Sequence, residues 1–233
     1  MASSLRSTSP DTERNTLPAL NRDDRLALYM EGALGEFIGK LGYGALRYSP
    51  NAIACVIDSR FAGRNVQDVI DSPRSAPVVA SIEEARDLGA NVFVLGIAPP
   101  GGLIPDAWRA DIAKAVALGL SVVNGLHEPL APQFPDLADG QWIWDIREEP
   151  AGLAPATGAA RDLPSKRLLM IGTDMNIGKM TAGLEIHAAA LKQGVRSAFV
   201  ATGQIGILLT GGGTPLDAVR VDFAGGAIER CRV

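Results

Sequence analysis

The chain has 233 residues, 47 % of them hydrophobic and 21 % charged, which supplies a buried core and excludes disorder throughout. Aromatic residues make up only 5 %, whereas glycine contributes 26 residues and proline 15, a balance that favours an α/β fold with many tight turns over an aromatic-rich sandwich. With a formal charge of -4 there is no overall attraction to nucleic acid or to an anionic membrane, so neither is expected as a partner and any anion site has to be local.

Residues 1–24 mix Ser, Thr, Asp and Arg with two prolines and no periodicity, and read as a loose tail. From Arg25 to residue 149 the chain reads as one Rossmann-like domain. Short apolar runs at Leu26–Met30, Ala52–Ile57, Val78–Val79, Val92–Leu95 and Ser121–Val123 have the character of strands buried on both faces. Helices lie between them. Ser81 with Glu84 forms a capping box and Gly89 a stop, while Pro105 and Asp106 open a second helix that Gly119 closes. Strand and helix in alternation imply a mostly parallel sheet, whose ligands bind at the carboxyl ends of the strands.

Three loops fall at those ends. In Glu31–Lys40 the glycines are not spaced as in the dinucleotide fingerprint, so the loop gives little support for a nicotinamide cofactor. Gly96–Gly102 combines two prolines with glycines that permit close backbone approach, and Asn124–Glu128 carries His127, a candidate base or phosphate contact that could equally be a loop imidazole bonded to a carbonyl. Trp142–Arg147 reads as a last extended segment, and residues 150–163 as a linker.

A second α/β domain is expected over residues 164–233. Arg167–Ile171 reads as a buried strand, Gly172–Thr181 as a loop, and Leu184, Ala188 and Leu191 as the stripe of a helix that stops at Gly194. Strand, glycine-bounded loop, Gly178–Lys179 and helix make the layout of a P-loop NTPase-like domain, in which Gly172, Thr173, Asp174, Asn176, Gly178, Lys179 and Thr181 would cradle phosphate oxygens. The alternative is a structural turn with a solvated lysine. Met180 stands where a magnesium-binding Ser or Thr normally follows the lysine, and Thr181 is the candidate substitute. His187 shares the apolar stripe and reads as a packed histidine. Two cysteines and two histidines, not at ligand spacing, point to no metal site and to a reducing, cytoplasmic setting.

The loop GTDMNIGK resembles that of dethiobiotin synthetase. The blocks VIDSRFAGR, VLGIAPPGG, VVNGLHEPL, WDIR, GTDMNIGKMT and LDAVRVDFAGGAIE more closely resemble a bacterial and archaeal family long catalogued as a domain of unknown function, with members described as D-glutamate N-acetyltransferases. This resemblance implies a Rossmann-like domain joined to a P-loop domain, acetyl-CoA as acetyl donor, and D-glutamate or a similar amino acid as the small-molecule substrate. Coenzyme A carries a pyrophosphate and a 3′-phosphate, so a phosphate cradle can hold it without ATP chemistry. Acetyl transfer needs a base, for which Asp217, Asp222, Glu229 and His127 are candidates. Asp217 can instead be a helix cap and Glu229 a member of a solvated helix face. The alternatives are an ATP- and magnesium-dependent carboxylate-activating enzyme like dethiobiotin synthetase, and a non-catalytic nucleotide- or CoA-binding fragment.

The resemblance also implies a second domain that continues past Val233, so the chain reads as truncated and its activity as impaired. Its second sheet is expected to keep only Arg167–Ile171 and Ser197–Ala201. Apolar Ile205, Ile207, Leu208 and Leu209 would then be relieved by docking on the first domain or by homo-oligomerisation.

Overall fold

The apolar runs of the first half pair side by side because each is buried on both faces and none can satisfy its own backbone. The computed structural model describes residues 20–174 and 177–231. Its strands are β1 (Arg25–Tyr29), β2 (Ala52–Ile57), β3 (Val78–Val79), β4 (Val92–Leu95), β5 (Ser121–Asn124) and β6 (Ile143–Asp145), all parallel, in the order β3-β2-β1-β4-β5-β6. This is the Rossmann order, reversing between β1 and β4. The helices of this half are α1 (Lys40–Tyr48), α2 (Ile82–Asp87) and α3 (Asp106–Ala117). Ser81 caps α2 by accepting from the Glu84 amide at 3.2 Å, and Gly89 and Gly119, both at positive φ, follow α2 and α3.

At the switch point the usual nucleotide crevice is taken up by the protein itself. Met30 is fully buried there. A Cβ on Gly39 would stand 2.6 Å from the Met30 methyl, and one on Gly96 3.0 Å from Met30 Cγ and from the Tyr29 carbonyl. The acidic residue that ends β2, which in dinucleotide-binding sheets faces the ribose, is Asp58. Its carboxylate is fully buried and accepts from the Leu34 amide at 3.0 Å and from Arg60 Nε and Nη2 at 3.0 and 2.8 Å. Both positions that would read a dinucleotide are therefore spent on packing.

The second half contains α4 (Lys179–Lys192), α5 (Gln204–Thr210) and α6 (Ala224–Arg230). The strands expected at Arg167–Ile171 and Ser197–Ala201 do not form among the described residues, where a lone parallel bridge joins Ala201 to Gly213. A strand exists only against a partner, and the apolar run that should lie in a sheet interior is instead in water, with Leu169 79 % and Ile171 81 % exposed. Expected docking on the first domain is seen at α5. Ile207, Leu208 and Leu209 are buried, α5 packs on α1, and a Cβ on Gly44 would stand 2.5 Å from Ile205 Cγ2.

His187 is the packed histidine its stripe suggests, with Nδ1 2.8 Å from Ser197 Oγ and its ring against Phe199. The segment read as a linker is fastened. Glu229 on α6, buried rather than on a solvated face, accepts from the Thr157 amide and hydroxyl at 2.7 and 2.8 Å and from the Ala160 amide at 3.0 Å.

Burial raises the Asp58 pKa, yet the hydrogen bonds from Arg60 and Leu34 outweigh it and hold the carboxyl below its usual range. A depressed carboxylate contributes stability that is full above its unfolded pKa and is lost as pH falls through the lower folded one. Urea unfolding should therefore find Asp58→Asn less stable by about 1–3 kcal/mol at neutral pH, with the gap to wild type shrinking below about pH 4.

Candidate functional site

The carboxyl ends of β5 and β6 carry a polar lattice that begins with register. Asn124 pairs with Asp145 across the two strands, both are buried, and Asn124 Nδ2 donates to Asp145 Oδ1 at 2.7 Å. The Asp145 carboxylate also accepts from the Leu130 and Ala131 amides at 2.9 Å. Asn124 Oδ1 accepts from the Leu126 amide at 2.9 Å, and Asn124 Nδ2 also donates to the Glu128 carbonyl at 2.8 Å. These bonds fix the whole turn from residue 124 to residue 131 and turn His127 outward at its tip.

A second set of contacts holds His127 from the neighbouring loop. Its amide donates to the Gly102 carbonyl at 2.7 Å, and the ring lies so close to Gly102 that no side chain fits there. Gly102, at φ +66°, supplies both the conformation and the space. Beside it, the Glu128 carboxylate forms a forked pair with Arg109 at 2.8 and 3.1 Å, joining this turn to α3.

Arg147, two residues past β6, completes the arrangement. Its side chain is 13 % exposed. Nε donates to the Gly125 carbonyl at 2.7 Å, and Nη1 reaches both His127 Nε2, at 2.8 Å, and the carboxylate of Asp217 from the second half of the chain. Donation to Nε2 requires the tautomer that carries its proton on Nδ1. Burial and then the Arg147 charge hold the His127 pKa below its ordinary value, which favours the neutral imidazole. Two buried polar groups, Trp144 Nε1 and Thr214 Oγ1, have no hydrogen-bond partner among the described residues. Each lies three residues before a member of the cluster, Arg147 or Asp217.

Of the residues expected to act as base, the structure brings together His127 and Asp217. Asp222 is exposed in the turn Val221–Phe223, outside the cluster, and the Glu229 carboxylate serves the 157–160 segment. Arg147 was not singled out from sequence as a site residue. Its position as a cation immediately beyond a strand's carboxyl end was the available signal.

The expected phosphate cradle forms a separate region. Gly178, at φ +95°, is the N-cap of α4, so the first-turn amides of this 14-residue helix point outward with no side-chain cap. Lys179 Nζ folds back onto the Asp174 carbonyl. Gly172, Thr173, Asp174 and Thr181 are exposed, and Asn176 lies outside the described residues. Exposed amides at a helix start with an adjacent lysine fit a phosphate group. Among the described residues no group of three or more His, Cys, Asp or Glu side chains is placed to hold a metal ion.

A sheet in Rossmann order followed by a glycine-lysine loop that opens a helix defines a two-part α/β protein of Rossmann-like and P-loop type. The sequence matches a family described as a domain of unknown function, DUF1611, through its Rossmann-like part over residues 59–149 and its P-loop part over residues 154–232. The chain belongs to that family. The P-loop match begins within the span read from sequence as linker. Two curated relatives, from Tritonibacter scottomollicae and a Pseudoalteromonas species, are each named D-glutamate N-acetyltransferase. Both are 40 % identical over 154 residues, covering 64 % of this chain and 45 % and 46 % of the relatives. The chain thus spans under half the length of the curated relatives it matches. A crystal structure of a DUF1611 protein from Anabaena variabilis superposes with a TM-score of 0.85 at 48 % identity, covering 89 % of this chain and 62 % of that one. Among the described residues no helix is long and apolar enough to cross a membrane.

The direction of the His127 shift is open to direct measurement. In an NMR titration its imidazole should show a midpoint below that of a model peptide. Arg147→Met should move it part of the way back, leaving the portion due to burial.

Proposed function

We propose that this protein transfers an acetyl group from acetyl-CoA to the amino group of D-glutamate or a similar amino acid. The observation that carries the reading is the imidazole of His127, held by Gly102 and Arg147 at the carboxyl ends of β5 and β6. Support comes also from the name that the two curated relatives carry. Arg147 then serves recognition of an anionic substrate, and the loop from Gly172 to Thr181 serves the phosphates of coenzyme A.

The amino group arrives as an ammonium and must lose a proton before it can attack. Its nitrogen then forms a bond to the thioester carbonyl carbon, and the carbon–sulfur bond breaks as the tetrahedral adduct collapses. His127 Nε2 takes the proton from the attacking nitrogen and returns it to the departing thiolate. Overall, one proton is released to solvent for each amide and thiol formed. Nε2 can accept only when Arg147 Nη1 no longer donates to it, so base and guanidinium must part during the cycle.

A ligand that binds the folded state alone raises its thermal midpoint. Acetyl-CoA should do so in the presence of EDTA, and Lys179→Ala should weaken the effect by about 1.5–3 kcal/mol while the apo midpoint stays put. Stabilisation by ATP with magnesium and none by acetyl-CoA would replace this reading with an ATP-dependent one.

A further inference from the structure

Arg147 is half of an inter-domain ion pair whose two ends are unequal. The guanidinium is built in: 13 % exposed, anchored through Nε on the Gly125 carbonyl, and seated on a turn that Asn124 and Asp145 make rigid. Its partner is loosely held. Asp217 is 45 % exposed and lies in an irregular segment after Pro215, outside any helix or strand. Among the described residues Asp217 makes one polar contact, to Arg147, and the Nη2 of Arg147 makes none. A guanidinium can bind a carboxylate through two parallel N–H groups, and here one terminal nitrogen is unused while the other serves two acceptors. Burial lowers the Arg147 pKa, although arginine stays charged, so a positive charge is kept partly out of water with less than its full complement of acceptors.

We propose that Arg147 is the receptor for a carboxylate of the amino-acid substrate, and that Asp217 occupies the substrate's place until it arrives. This rests on the acetyl-transfer reading above. A planar carboxylate that takes both terminal nitrogens displaces Asp217 and draws Nη1 off His127. The Nε2 lone pair is then released beside the substrate. Recognition and unmasking of the base become one event, and a ligand without a carboxylate triggers neither. A merely structural ion pair makes the opposite demand, because losing either partner then loosens the site in the same direction.

The test is titration of this chain with D-glutamate and, separately, with succinate, against sodium chloride of matched ionic strength. It is followed through the Arg147 Nε and His127 imidazole NMR signals. D-glutamate is expected to perturb both signals and to raise the His127 midpoint. Arg147→Met should weaken D-glutamate binding at least ~10-fold, whereas Asp217→Asn, by removing the competitor, should tighten it several-fold. Opposite signs in the two variants support the proposal. It is overturned if both variants weaken binding alike, if Arg147→Met binds as wild type does, or if neither ligand moves the two signals. A response to succinate with none to D-glutamate retains Arg147 as a carboxylate receptor and removes D-glutamate from the function. Should Arg147→Met fail to fold, Arg147→Lys keeps the charge without the fork, and the sign of the Asp217→Asn effect decides.

Discussion

The buried carboxylate of Asp145 is the point from which the candidate site is hung. By register it stands beside Asn124, and between them the two side chains satisfy the amides of Leu126, Leu130 and Ala131 and the carbonyl of Glu128. A turn that would otherwise carry these backbone groups unpaired into a buried corner finds partners for them. Only then does the placement of His127 follow, and only then is the Gly125 carbonyl available to anchor Arg147. The geometry at the rim is thus inherited from a buried polar pair in the sheet itself.

At the switch point of the Rossmann order the positions that face a dinucleotide in other such sheets are engaged in the protein's own packing. Met30 fills the switch point under Gly39, Gly42 and Gly96, and Asp58 turns inward to Leu34 and Arg60. The polar cluster has moved two strands along, to β5 and β6, where the sheet meets the second half of the chain. The glycine-lysine loop lies in a different region, at the start of α4.

Much of this was legible in the sequence, for a physical reason. Strands buried on both faces leave short, wholly apolar runs, and five of them were placed to within a residue of their observed ends. Helix stops at Gly89 and Gly119 were equally plain, because positive φ selects glycine. Arg147 was not legible: its partners His127 and Asp217 lie 20 and 70 residues away, and its place past a strand's carboxyl end, the one local signal, is shared by many solvated charges. Glu229 likewise looked like a surface acid until the chain brought Thr157 and Ala160 beneath it. In the second half the apolar runs were read as strands, yet strand formation depends on a neighbour that local sequence does not contain. Residues 204–210, read only as apolar positions in need of cover, form the helix α5 and pack on α1.

The fastening of the 157–160 segment by Glu229 has a bearing on how firmly Asp217 is presented to Arg147. A contact between two halves joined by a slack tether is diluted by every position the tether allows. Here α6 ties down the connecting chain, α5 is seated on α1, and Tyr48 on α1 donates to Glu185 on α4 at 3.0 Å. Asp217 is therefore kept at a high local concentration near Arg147 even though its own segment is irregular, and on the proposal above an anion from solution has to compete with it to gain Arg147. Stray carboxylates at low abundance are screened out by geometry alone. The threshold is set by the connection between the halves, so it could shift between relatives without a single change in the residues that touch the ligand.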